Sequence, residues 1–78
     1  MNATIENVKE VIEKADVLGD VANMQSDVAL SEQGIDSLDI VNVYLLLEET
    51  FDIKIPDEDT AQLETIDDII NYINNQQN

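Results

Sequence analysis

Between residues 4 and 15, Ile5, Val8, Ile12 and Ala15 recur at helical spacing, and Val11 widens the stripe. Glu6, Lys9, Glu10 and Glu13 fall on the opposite side. That period predicts an amphipathic helix with one buried face. Gly19 marks its end region. From 16 to 35 the pattern dissolves into polar and turn residues, with Leu18, Val21, Met24, Val28 and Leu30 as isolated apolar positions. A connection this long in so short a chain is uncommon and usually functional. Its apolar residues are expected to pin it across the helices.

A second helix is predicted from an N-cap at Asp36 to about Thr50, with Asp39 three residues on as the other half of a capping box. Both carboxylates lie at the positive end of the helix dipole. Pro56 ends the next extended stretch, and Asp57-Glu58-Asp59 opens a short helix reaching Leu63. Thr65 and Asp68 repeat the capping-box pattern, and Ile66, Ile69, Ile70 and Ile73 share one face of a last helix. The polar tail from 74 to 78 is expected to fray. No strand pattern competes. The fold expected is all-α, an antiparallel four-helix bundle with three longer helices and one short third helix, in a single domain over 1–78.

The second helix carries two apolar stripes. Ile40, Val43, Tyr44, Leu47 and Phe51 form one, which suffices to bury the helix in a small bundle. Leu38, Val41 and Leu45 form another, flanked by Asn42, Glu48 and Glu49. An apolar strip with a charged rim suits docking to a partner. Cover by the long connection or by another helix is the alternative.

Charge narrows the partners. Eighteen Asp and Glu stand against Lys9, Lys14 and Lys54, for a formal charge of −15. Such a surface repels nucleic acid and anionic lipid, which bind through cationic contacts. It suits partners with basic surfaces, although solubility alone also accounts for it. Self-repulsion costs stability, and loose binding of divalent cations to clustered carboxylates is expected as relief. No stretch reaches the length of a membrane span and the N-terminus lacks the regions of a signal peptide, so a cytoplasmic monomer without membrane insertion is expected.

Composition also limits the chemistry open to Ser37, which sits between Asp36 and Leu38-Asp39 at the predicted helix start. The chain has no histidine and no cysteine. A Ser-His-Asp arrangement is therefore impossible, and nothing in the lysine spacing supports a Ser-Lys pair. A calcium loop starting at Asp57 would place Gln62 where glycine is needed and Asp68 where glutamate is needed, so no specific metal site is expected. What survives is attachment. A serine in the first helical turn offers its hydroxyl to solvent beside N–H groups that favour a phosphate. These considerations permit a modified serine without proving one.

Gly34-Ile35-Asp36-Ser37-Leu38-Asp39 resembles the modification motif of the acyl carrier proteins. Glu48-Glu49-Thr50-Phe51 and Ile55-Pro56-Asp57-Glu58 follow at the matching offsets, so the resemblance covers essentially the whole chain. It implies a four-helix bundle bearing 4′-phosphopantetheine on Ser37, installed from coenzyme A by a holo-synthase, a phosphopantetheinyl transferase. The chain would then be a carrier rather than an enzyme, holding acyl groups as thioesters on the arm for acyl-transferring and acyl-modifying enzymes with basic docking surfaces. The resemblance matches Asp36, Leu38, Asp39, Val41, Leu45, Glu48 and Glu49 to the surface presented to those partners. It places the acyl chain between helices, against residues such as Val43, Leu47, Ile55 and Ile66. An unmodified acidic interaction module is the alternative from another class.

Departures from the family pattern bear on the subtype. Gln33 replaces a usual leucine, Glu32 an aspartate, Ala29 a common phenylalanine and Leu46 a common alanine. Asn42 stands where an acid is common, and Lys54 where the charge is often negative. They favour a specialised carrier over a housekeeping carrier of fatty-acid biosynthesis, without identifying the cargo.

Overall fold

Thr4, in extended backbone, accepts the Asn7 amide on its hydroxyl at 3.2 Å and so opens α1, Ile5–Lys14. In this computed structural model, which describes residues 2–15, 17 and 20–77 (77 without its side chain), the chain continues through α2, Ser37–Phe51, a 3₁₀ helix, Asp57–Gln62, and α3, Ile66–Gln77. Leu18, Gly19 and Asn78 lie outside the described residues. Among the described residues there is no strand, and the all-helical bundle expected from the sequence is what forms. The long connection is firmer than a plain loop, since Val21–Asn23 and Leu30–Gln33 are short 3₁₀ turns.

Hydrogen bonds at the ends set the helix directions. The Ala3 amide donates to Asn74 Oδ1 at 2.8 Å, joining the start of α1 to the last turns of α3, so these two helices are antiparallel. Gln76 Nε2 donates to the Lys54 carbonyl at 2.9 Å, so α2 and α3 finish on the same side. α1 is thus the antiparallel partner of both. The same two bonds overturn the expectation of a fraying tail from residue 74: with Asn74 and Gln76 tied to distant backbone, α3 runs on through Gln77.

The core is wholly apolar among the described residues, with no buried polar or charged side chain. α1 contributes Val8, Val11 and Ile12, α2 contributes Val43, Leu47 and Phe51, and α3 contributes Ile66, Ile69 and Ile73. Each such side chain contributes about 1.5–3 kcal/mol of burial. Ile5, expected on the buried stripe of α1, is exposed, while Ala3 just before the helix is buried. The connection adds Val21, Met24, Leu30 and Ile35 to the core. Three bonds hold its backbone: Lys9 Nζ to the Ala22 carbonyl (3.3 Å), the Asp67 amide to the Ser26 carbonyl (3.0 Å) and the Leu30 amide to the Glu64 carbonyl (2.8 Å). The pinning expected of this segment is therefore real.

The two capping-box predictions part company. At α3 the box forms: the Asp68 amide donates to Thr65 Oγ1 at 3.0 Å, and Asp68 Oδ2 accepts the Thr65 amide at 3.2 Å. At α2, Asp36 occupies the N-cap position but its side chain makes no capping bond. A hydroxyl and a carboxylate can share one helix end, whereas Asp36 and Asp39 would crowd two negative groups over the same amides.

The C-terminus of α2 carries strain of its own. Asp52 adopts φ 54 and ψ 52, the left-handed conformation that favours glycine or asparagine, and the Ile53 amide bonds back to the Glu48 carbonyl at 3.1 Å. It also places a negative charge at the negative end of the helix dipole. Asp52→Asn keeps the side-chain shape and removes that charge. Urea melts at low salt should show it more stable than wild type by about 0.3–1 kcal/mol.

Candidate functional site

Gly34 closes the second 3₁₀ turn with φ 93, a left-handed conformation that glycine adopts without steric cost. The Ile35 amide then donates to the Leu30 carbonyl at 3.3 Å and the Ile35 side chain is buried, which fixes the chain just before α2. Asp36, Ser37 and Leu38 emerge from this anchor into solvent. The Ile40 amide makes the first α2 bond to the Asp36 carbonyl at 3.0 Å. Ser37 Oγ lies 3.5 Å from Asp36 Oδ1, at the outer limit of a hydrogen bond, so no strong contact holds the hydroxyl back.

The second stripe of α2 is uncovered. Leu38, Val41 and Leu45 are 75%, 53% and 54% exposed, and neither the connection nor another helix lies over them. Asp36 and Glu49 are exposed beside the strip, while Asp39 and Glu48 are half-buried. Glu48 has a second task, because its Oε2 accepts the Ile55 amide at 2.9 Å and ties the segment after α2 back to the helix.

The side chains expected around an acyl chain are placed differently from one another. Val43, Leu47 and Ile66 have no exposed surface and belong to the packed core. Ile55 lines a groove of about 200 Å³ between α2 and the 3₁₀ helix, with Val41, Leu45 and Asp57 among its walls. A larger groove of about 470 Å³ lies where Ala29 and Glu32 of the connection face Ile40 and Tyr44 of α2 and Leu63 and Glu64. Val43, Leu47 and Ile66, expected beside the cargo, line neither of these two grooves.

Three further residues shape the site through hydrogen bonds that the sequence did not announce. Gln33 accepts the Gln25 amide on Oε1 at 2.7 Å and donates from Nε2 to the carbonyls of Gln25 (3.0 Å) and Val28 (2.9 Å). One side-chain amide thereby sets the turn that leads into the site. Tyr44 donates its hydroxyl to the Leu63 carbonyl at 2.9 Å, and burial followed by the nearby Glu64 charge raises its pKa. Tyr72 donates to Asp59 Oδ2 at 2.6 Å, latching the 3₁₀ helix to α3. Burial and then the Asp59 carboxylate push the Tyr72 phenol up to about 12. The sequence marks Gln33 as a departure from a family leucine and Tyr44 as part of an apolar stripe, and neither pattern indicates these bonds.

Comparison with known proteins decides what this arrangement is for. Residues 6–73 match the family model described as a phosphopantetheine attachment site. The chain is 43% identical over 76 residues to the acyl carrier protein of Campylobacter lari, covering 96% of this chain and 97% of that one. It is 42% identical over 74 residues to that of Campylobacter jejuni strain RM1221, covering 94% and 95% respectively. The chain belongs to the acyl carrier protein family. Its members are carriers rather than catalysts, and the cofactor of the family is phosphopantetheine.

The residues present fit that group. An acyl carrier protein needs an accessible hydroxyl for a phosphodiester, and Ser37 is exposed in the first turn of α2. The positive end of the helix dipole favours a phosphate there, and the Asp36 carboxylate does not occupy the cap. Among the described residues, no group of three or more carboxylates is arranged to hold a metal ion, and no helix is long and apolar enough to cross a membrane.

The Tyr72 latch makes a pH prediction. The folded state holds the phenol proton more tightly than the unfolded chain, whose tyrosines titrate near 10. Its contribution is complete below pH 10 and disappears as the pH climbs from 10 towards 12. Tyr72→Phe should cost about 1 kcal/mol at pH 7 in urea melts, and the gap to wild type should close above pH 10. A gap that stays constant to pH 11.5 would show that the phenol proton does not carry the difference.

Proposed function

We propose that Ser37 Oγ is the attachment point of the phosphopantetheine arm, and that this chain carries acyl intermediates in fatty-acid biosynthesis or a related pathway, as a specialised carrier. The observation that carries the reading is the exposed Ser37 hydroxyl at the start of α2, one residue from an uncovered apolar strip. When bound, the group supplies a terminal thiol that holds an acyl group as a thioester, chemistry that a chain without cysteine cannot supply itself.

The protein's own residues present the site. Ile35 and Gly34 fix where α2 begins, and the rigid helix fixes Ser37 relative to Leu38, Val41 and Leu45. A partner enzyme that covers the strip is thereby brought over the serine. Asp36, Asp39, Glu48 and Glu49 surround the strip with negative charge and steer basic surfaces towards it. The holo-carrier-protein synthase and the acyl-transferring and acyl-modifying enzymes share this face, so they bind one at a time. The working form is a cytoplasmic monomer. The specialised role rests on Gln33 and Ala29, which reshape the connection and the groove wall beside α2.

Incubation with coenzyme A and a broad-specificity phosphopantetheinyl transferase should add the mass of one arm to wild type and nothing to Ser37→Ala. An unchanged wild-type mass would instead favour an unmodified acidic interaction module.

The docking face is tested by pairing two leucines. Leu45→Ala should alter stability by no more than about 0.5 kcal/mol yet slow modification by the transferase. Leu47→Ala should cost about 2–5 kcal/mol in the same urea melts. Charge reversal at Asp39 should slow the transferase most at low salt. Equal destabilisation by the two leucine variants would place Leu45 in the core and move the docking face elsewhere.

A further inference from the structure

The start of α2 lacks the side-chain bond that commonly holds a helix end. Asp36 stands at the N-cap without a capping contact, and the first helical bond runs from the Ile40 amide to the Asp36 carbonyl at 3.0 Å. Ser37 lies in that uncapped turn, so its placement depends on what fixes the chain before it. The Gly34 and Ile35 amides do part of this, and both end on one acceptor, the Leu30 carbonyl. The independent tie is Gln33. Its Oε1 accepts the Gln25 amide at 2.7 Å, and its Nε2 donates to the carbonyls of Gln25 (3.0 Å) and Val28 (2.9 Å). The acceptor and both donor hydrogens of this side chain are therefore in use. A flipped amide would set donor against donor and oxygen against two oxygens, so the network admits one orientation.

The far side of this network is itself anchored. Met24 and Leu30 are buried, and the start of α3 is bound to the same segment through the Asp67 amide on the Ser26 carbonyl (3.0 Å) and the Leu30 amide on the Glu64 carbonyl (2.8 Å). We propose that Gln33 is a positioning residue for attachment of the arm: by joining residues 25–28 to the turn before α2, its amide keeps the first turn of α2 formed and Ser37 Oγ where a docked transferase meets it. The proposal rests on the carrier reading above. In that transfer the Ser37 oxygen bonds to the phosphorus next to the pantetheine, and the pyrophosphate bond of coenzyme A breaks. Adenosine bisphosphate leaves, and the serine proton passes to a base on the transferase. The attacking oxygen has to stand in line with the leaving one, so a frayed turn costs rate. Docking is spared, because Val41 and Leu45 lie in later turns and still present the strip.

The test compares wild type with Gln33→Met, which keeps the length and loses all three bonds, and with Gln33→Glu, which keeps the acceptor and loses both donors at neutral pH. Amide hydrogen exchange is read by NMR on the unmodified proteins. Exchange at Ile40, the first bonded amide of α2, should speed by about threefold to tenfold in both variants, the factor that one net hydrogen bond supplies. A role in overall stability alone would leave Ile40 unchanged and speed exchange at buried Leu47, which opens with the whole fold, and that result overturns the proposal. With coenzyme A and the broad-specificity transferase, kcat for Gln33→Met should fall by up to the same factor while KM for the protein stays near that of wild type. A kcat equal to that of wild type, or a change in KM alone, also overturns it. If Gln33→Met does not fold, Gln33→Glu, which retains the Gln25 bond, decides by exchange at Ile40. A wild type that takes up no arm appears separately in the mass spectrum and overturns the carrier reading, whatever the exchange shows.

Discussion

Val43, Leu47 and Phe51 seat α2 against α1 and α3 in a core without a single buried polar side chain among the described residues. The site depends on that contact, because it fixes which side of α2 remains outside. With one face committed to the core, Leu38, Val41 and Leu45 have nowhere to go but solvent, and Ser37 is carried out beside them. An exposed strip of this kind is normally a liability. Here the strip is flanked by Asp36, Asp39, Glu48 and Glu49, carboxylates that repel an acidic surface and attract a basic one.

The charge that serves docking works against the fold. With a net charge of −15, the compact state repels itself, and burial of apolar side chains has to exceed that cost in a chain of only 78 residues. The structure limits the damage by giving several side chains a backbone to hold. Glu48 takes the Ile55 amide, Asp68 caps α3, and Asp59 receives the Tyr72 phenol. Each of these bonds places a carboxylate beside a donor, and the Asp59–Tyr72 bond also ties together segments 13 residues apart.

The long connection shows how function is fitted into so small a core. Buried Val21, Met24, Leu30 and Ile35 hold it as firmly as a helix face would, and the Gln33 amide replaces the ladder bonds that a regular element would supply. One edge of the connection delivers Gly34 to the start of α2, and the other forms the Ala29 wall of the larger groove. The exposed Ser37, the uncovered strip and the larger groove thus lie along one helix and the segments packed beside it.

Periodicity determined the three longer helices, the Thr65–Asp68 cap and the division of α2 into two stripes, because each depends on neighbours within one or two helical turns. The absence of histidine and cysteine excluded nucleophilic catalysis of the usual kinds, and the Asp36-Ser37-Leu38 context marked a candidate attachment point through resemblance. Tertiary structure decided what depends on distant partners. It left Asp36 without a capping bond, exposed Ile5, extended α3 to Gln77 and buried Val43, Leu47 and Ile66 completely. It also gave Tyr44 and Tyr72 partners 19 and 13 residues away, contacts that no local pattern encodes. Local spacing fixes which face of a helix is apolar, but which residue closes a groove is set by what the packed helices bring opposite it.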